Sequence, residues 1–209
     1  MNEAERPGPV TLVLVVINIL IFALESLAGG SESTAVALKF GALTSDLVRS
    51  GEWWRLFTSM FIHFGSSHLV SNMVTLFLFG NAVERLLGWW KMLIIYLASG
   101  LAGNVLWLAL EMRSESYTVS AGASGAIFGL VGVYVAMALI PEMRRFVSVR
   151  NVIIMLILNF AYGTTGTNVN LIAHAGGLIT GTVLGYVLLQ WKITAVRSGR
   201  GQNSRGQSR

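Results

Sequence analysis

A chain of 209 residues that is 54% hydrophobic and only 12% charged, with a mean hydropathy of +0.64, cannot keep the surface of a soluble domain wet. Lipid is the solvent such a composition requires, and the absence of cysteine excludes disulfides, thiol catalysis and zinc–thiolate sites. The net charge of +5 comes largely from a tail after Trp191, where Lys192, Arg197, Arg200, Arg205 and Arg209 stand among Gly, Ser, Gln and Asn, the pattern of a disordered basic segment and not of a nucleic-acid domain.

Residues 1–9 form a short N-terminal segment in which Glu3 and Glu5 oppose Arg6, and residues 25–30 offer a poor cleavage site, so the first apolar run is expected to be retained as a span. Such runs fall at Val10 to Leu24, His68 to Val83, Met92 to Leu110, Gly125 to Ile140, Val152 to Tyr162 and Leu171 to Gln190. A helix needs about 20 residues to cross the hydrocarbon layer. The expectation is one all-α polytopic membrane domain over residues 10–191, with six helices, two of them short, and a disordered tail over 192–209. Arg85 and Lys91, then Arg144, Arg145 and Arg150, then the tail fall on one side, against Lys39, Arg49, Arg55 and Arg113 on the other. The positive-inside rule then places both termini in the cytoplasm.

The first external connection, about Gly29 to Ser67, is too long for a simple turn and should carry structure of its own. Its segment Glu52 to Phe57 mixes aromatics with charge, as expected in the headgroup layer. Pro141 should end the fourth helix, and Trp53, Trp54, Trp89, Trp90 and Trp191 lie where interfacial aromatics belong.

Polar residues inside a bilayer are costly unless paired, which makes the few present here the candidates for function. Ser124 opens the fourth helix between Gly122 and Gly125, where glycines admit a substrate backbone and a helix N-terminus offers N–H groups to an oxyanion. Small residues around a serine also suit plain helix packing. His174, Gly177, Gly181 and Gly185 share one face of the sixth helix, and Gly125, Gly129 and Gly132 give the fourth a matching thin face. Close packing of these faces would bring His174 to Ser124. With no carboxylate near His174 in the sequence, any such machinery must be a dyad, oriented by packing against Phe128 one turn after Ser124. His68 and Asn72, at i and i+4, lie on one helix face and suit either the polarising of a scissile carbonyl or an interhelical hydrogen bond. His63, Ser66, Ser67 and Ser71 are candidates to line a water path. Zinc is disfavoured, because His63 and His68 are five apart and no carboxylate accompanies them.

Taken together, Trp54-Arg55, His63 through His68 to Asn72, Gly122-Ala123-Ser124-Gly125, and Ala173-His174 followed by Gly177 and Gly181 resemble the rhomboid family of intramembrane serine proteases. Asn18 and the stretch Glu84-Arg85 to Gly88 fit the same pattern. The resemblance implies a six-transmembrane-helix rhomboid-like bundle, partly membrane-embedded in its first external loop, with Ser124 as nucleophile, His174 as general base, and His68, Asn72 and the Ser124 backbone N–H as oxyanion hole. It implies single-pass transmembrane substrates, and a gate and cap formed by the fifth helix and the loop Gly163 to Asn170. No metal, cofactor or nucleic acid is called for, a bacterial inner membrane is the expected location, and the oligomeric state is open. Two rivals remain: a catalytically silent relative that binds transmembrane helices, and a small transporter, for which internal repeat symmetry is missing.

Overall fold

The computed structural model describes residues 7–113, 118–154, 157 and 170–206, with side chains as far as Ser198. No strand occurs among the described residues; the one β contact is an isolated bridge between Leu43 and Ser120. Helix α1 covers Pro9–Leu27 and starts with proline at its first turn, where a missing N–H costs nothing. Its other free N–H groups are capped from a distant helix: Glu84 accepts from Val10 N at 3.0 Å, from Thr11 N at 2.8 Å and from the Thr11 hydroxyl at 2.6 Å. Asn81 accepts from Gly8 N beside them.

The first connection is structured, as its length requires. It holds α2 (Thr34–Phe40), α3 (Ser45–Arg49), α4 (Arg55–Thr58) and a single 3₁₀ turn over Ser59–Phe61. Ser33 and Thr44 cap α2 and α3 with their hydroxyls. Arg55, only 6% exposed, ties the loop together, donating to Leu38 O at 2.7 Å and Ala42 O at 2.9 Å, pairing with Glu52 at 2.7 Å and stacking on Trp54. Gly41 sits at φ +111°, where a side chain would strike Thr58 and Trp54. Both motif residues Trp54 and Arg55 therefore serve the loop's shape.

From Gly65 to Leu87 the chain is continuously helical, as α5 (Gly65–Thr75), a π turn (Leu76–Gly80) and α6 (Asn81–Leu87). Then come α7 (Trp89–Glu111), α8 (Ser124–Leu139), a 3₁₀ turn over Pro141–Phe146 opened by the proline expected to stop α8, and α9 (Leu171–Gly206). Three segments, Pro9–Leu27, Trp89–Glu111 and Leu171–Ser198, are long and apolar enough to cross a membrane, while α8 is shorter at 16 residues. The expected fifth run, Val152 to Tyr162, and the loop Gly163 to Asn170 lie outside the described residues, apart from 152–154, 157 and 170.

Contacts between the elements fix their directions. Gly8 meets Asn81 while Glu25 meets His63, so α1 runs antiparallel to the α5–α6 helix. Glycines at 125, 129 and 177, 181 face one another in order, so α8 and α9 run parallel. Both helices therefore begin at the same end of the bundle. The start of α1 and the far end of α9 thereby share one end of the bundle, and Ser124 and His174 share the opposite one.

Helix α8 is buried nearly all round, which is the pattern of a core helix. The outer faces of the bundle are apolar instead: Val13, Val16 and Leu20 on α1, Ile94 and Val105 on α7, and Ile179 and Val183 on α9 are all exposed. This inverts the arrangement of a water-soluble protein and makes the chain a polytopic membrane protein. At the C-terminus, the segment expected as a disordered tail is helical as far as Gly206. Helix propagation beyond a packed span costs little, and Arg197 pairs with Glu142 at 2.7 Å across to the 3₁₀ turn.

Candidate active site

The turn that presents Ser124 is held from three sides. Ser120 exchanges two backbone hydrogen bonds of 2.9 Å with Leu43 in the first connection, and Gly122 N donates to Ser59 O at 2.9 Å. Asn170 binds the Ser120 hydroxyl at 2.7 Å through its amide, while its carbonyl oxygen caps α9 by accepting from Ala173 N at 2.9 Å. Serine turn and histidine helix are thus joined by one asparagine side chain. Asn104 on α7 completes the brace, donating to Leu56 O at 2.8 Å and to the Ser59 hydroxyl at 3.0 Å.

Glycine sets the distance between the two helices. A Cβ on Gly177 would collide with the carbonyl oxygen of Gly125, and one on Gly181 with that of Gly129. Backbones this close carry Ser124 and His174 together: Ser124 Oγ lies 2.7 Å from His174 Nε2. The His174 ring is 6% exposed and stacks on Phe128, with centroids 4.2 Å apart and planes inclined by 15°. Its Nδ1 is buried and has no hydrogen-bond partner among the described residues. Phe128, the residue the sequence offers for packing against His174, is the ring it stacks on.

His68 approaches from α5. Gly122 has φ +126°, open to glycine and strained for other residues, and a side chain there would press on the His68 ring at 2.9 Å and lie 3.7 Å from Ser124 Oγ. The imidazole of His68 and the hydroxyl of Ser124 therefore border one small space. Asn72 is buried and spends one amide N–H on the carbonyl of His68 in its own helix, at 2.9 Å, which leaves its second N–H to offer.

His63, a candidate for lining a water path, packs beside His68. It is fully buried, edge-on to the His68 ring at a centroid distance of 5.1 Å, and its backbone N–H donates to the Glu25 carboxylate at 3.4 Å. Ser66, Ser67 and Ser71 are exposed. Glu25, Ser59, Asn104, Ser120 and Asn170 had no place in the sequence-based site. A signal existed for some of them, since intramembrane carboxylates and amides are rare, but each partner lies far away in sequence.

A family model, the rhomboid domain, matches residues 50–191. The rhomboid protease GluP of Bacillus subtilis (strain 168) is 39% identical over 173 residues, which are 82% of this chain and 33% of that protein. The putative rhomboid protease YdcA of the same organism is 38% identical over 146 residues, 69% of this chain and 72% of its own length. The rhomboid protease AarA of Providencia stuartii is 30% identical over 211 residues, covering 88% and 74% respectively. With the matched domain spanning most of the chain, this protein belongs to the rhomboid family. It spans about a third of the length of GluP and about three quarters of the other two.

Proposed function

We propose that this protein hydrolyses peptide bonds in or beside transmembrane segments of other membrane proteins, with Ser124 as nucleophile and His174 as general base. The observation that carries the proposal is the 2.7 Å approach of Ser124 Oγ to His174 Nε2 in a chain whose relatives are named proteases. An unprotonated Nε2 takes the hydroxyl proton as Oγ attacks the scissile carbonyl carbon, then delivers it to the leaving amine. Water hydrolyses the acyl ester by the same route in reverse. Among the described residues no carboxylate is bonded to the imidazole; the face of Phe128 stabilises the imidazolium in part.

The oxyanion falls to the space between His68 and the start of α8. His68, the second N–H of Asn72 and the Ser124 backbone N–H are the donors, and Gly122 leaves room for the oxygen. At about 1.5 Å per residue α8 is about 24 Å long, short of the roughly 30 Å of hydrocarbon, so a site at its first residue suits a bond below the membrane surface. Single-pass helices are the substrates, and both termini lie in the cytoplasm of a bacterial cell, on the end where Arg85, Lys91, Arg144, Arg145 and Lys192 collect.

The test places purified protein and a model single-span substrate in liposomes, and compares the wild type with Ser124→Ala and His174→Ala. Cleavage lost in both, with folding intact, supports the dyad. Absence of cleavage by the wild type across several substrate helices would replace the protease reading with that of a silent helix-binding relative.

A further inference from the structure

The end of the bundle away from Ser124 carries features that proteolysis does not use. Two grooves open there on either side of α9, of about 430 and 510 Å³, and Lys192 and Val196 wall both of them. The first lies between α9 and the 3₁₀ turn; Leu86, Met143, Phe146 and Ile193 give it an apolar lining, with Arg145 and Arg197 at the rim. The second is walled by Leu87, Ala195 and Trp191, with Lys91 beside them.

The cations at these rims are only partly engaged. Lys192 donates to the backbone carbonyl of Leu86, one of the three N–H bonds an ammonium offers. Lys91 and Arg145 lie over the rings of Trp90 and Phe146, at 5.2 and 4.6 Å, contacts that do not neutralise their charge. Glu142, the acidic residue of the lining, is taken by Arg197. Trp89, Trp90 and Trp191 are 57%, 47% and 70% exposed at the same level, which is the placement of aromatics at a membrane–water interface. Apolar walls under a rim where Lys91, Arg145 and Lys192 leave a surplus of positive charge, at headgroup depth, match one class of molecule: a phosphate-bearing head above acyl chains.

We propose that this end of α9 is a binding site for an anionic glycerophospholipid, its phosphate held by Lys192 together with Lys91 or Arg145 and its chains lying in the two grooves. The proposal stands apart from the protease reading. A lipid bound there also clamps α9 to α6 and to the turn after α8, and so stabilises the folded bundle.

The experiment follows thermal unfolding and native mass spectra of the full chain in neutral detergent. Phosphatidylglycerol, phosphatidylcholine and soluble glycerol phosphate are added in turn. Phosphatidylglycerol is expected to raise the unfolding midpoint by several degrees and to persist as discrete adducts, and the other two to do neither. In the double variant Lys91→Gln/Arg145→Gln, which leaves the Lys192 contact to Leu86 untouched, the midpoint shift should fall by more than half. Lys192→Gln, checked for folding without lipid, should reduce it as well. Equal shifts with phosphatidylcholine would mean general solvation by lipid, and an equal shift with glycerol phosphate a soluble-anion site; either overturns the proposal. So does an undiminished shift in the double variant.

Discussion

Helices α9 and α1 are attached to the bundle by opposite means. Helix α9 meets α8 through glycines, backbone against backbone, with Gly177 and Gly181 seated on the carbonyls of Gly125 and Gly129. Helix α1 is held by polar contacts, caps from Glu84 and Asn81 at its start and Glu25 to the His63 N–H near its end, and most of its length remains exposed to lipid. In a bilayer there is no hydrophobic gain from helix association, so close packing and hydrogen bonds are the two means available. Packing fixes a distance within tenths of an ångström. Polar clasps fix attachment points and leave the stretch between them less closely held. The serine–histidine pair is carried by the first kind of contact.

The largest effect is expected where the glycine contact is broken. Gly181→Val puts a branched side chain onto the Gly129 backbone, forcing α9 away from α8 by an ångström or more, and cleavage of a model substrate should fall by about 100-fold or beyond while circular dichroism still reports a helical bundle. A near-normal rate would show that the distance between these helices does not govern the pair. Next comes Phe128→Leu, which keeps an apolar side chain but removes the stacked ring from His174; kcat should drop about tenfold with KM nearly unchanged. A change confined to KM would shift Phe128 from orienting the base to contacting substrate. The smallest effect on activity belongs to the clasp. Glu84→Gln removes a charge-assisted cap that accepts three hydrogen bonds, so stability should fall by about 1–2 kcal/mol in thermal unfolding while kcat stays within about twofold. A loss of kcat as large as that of Phe128→Leu would erase the distinction between the two attachments.

Much of the site was legible because its members announce themselves against an apolar background. His174 and its three glycines share one helical face by spacing alone, and the lack of a nearby acid in the sequence made a dyad the expectation. The braces were not legible. Asn170 to Ser120, Asn104 to Ser59, and Glu25 to His63 join residues from different helices or loops, and nothing in the local pattern of either partner selects the other. The same limit applies to the end of α9: composition after Trp191 reads as a solvated tail, whereas the helix continues to Gly206 with Arg197 paired to a residue 55 positions earlier.

By itself the sequence determined the solvent, the approximate helices and the residues able to do chemistry, because hydropathy, periodicity and side-chain type are local properties. Only the tertiary structure decided that α8 and α9 run parallel, that the serine turn is pinned by the first connection, and that Asn72 spends an amide proton on its own helix. Those outcomes depend on which surfaces meet, and at distances where one Cβ is the difference between contact and collision, the whole bundle must be assembled before they are settled.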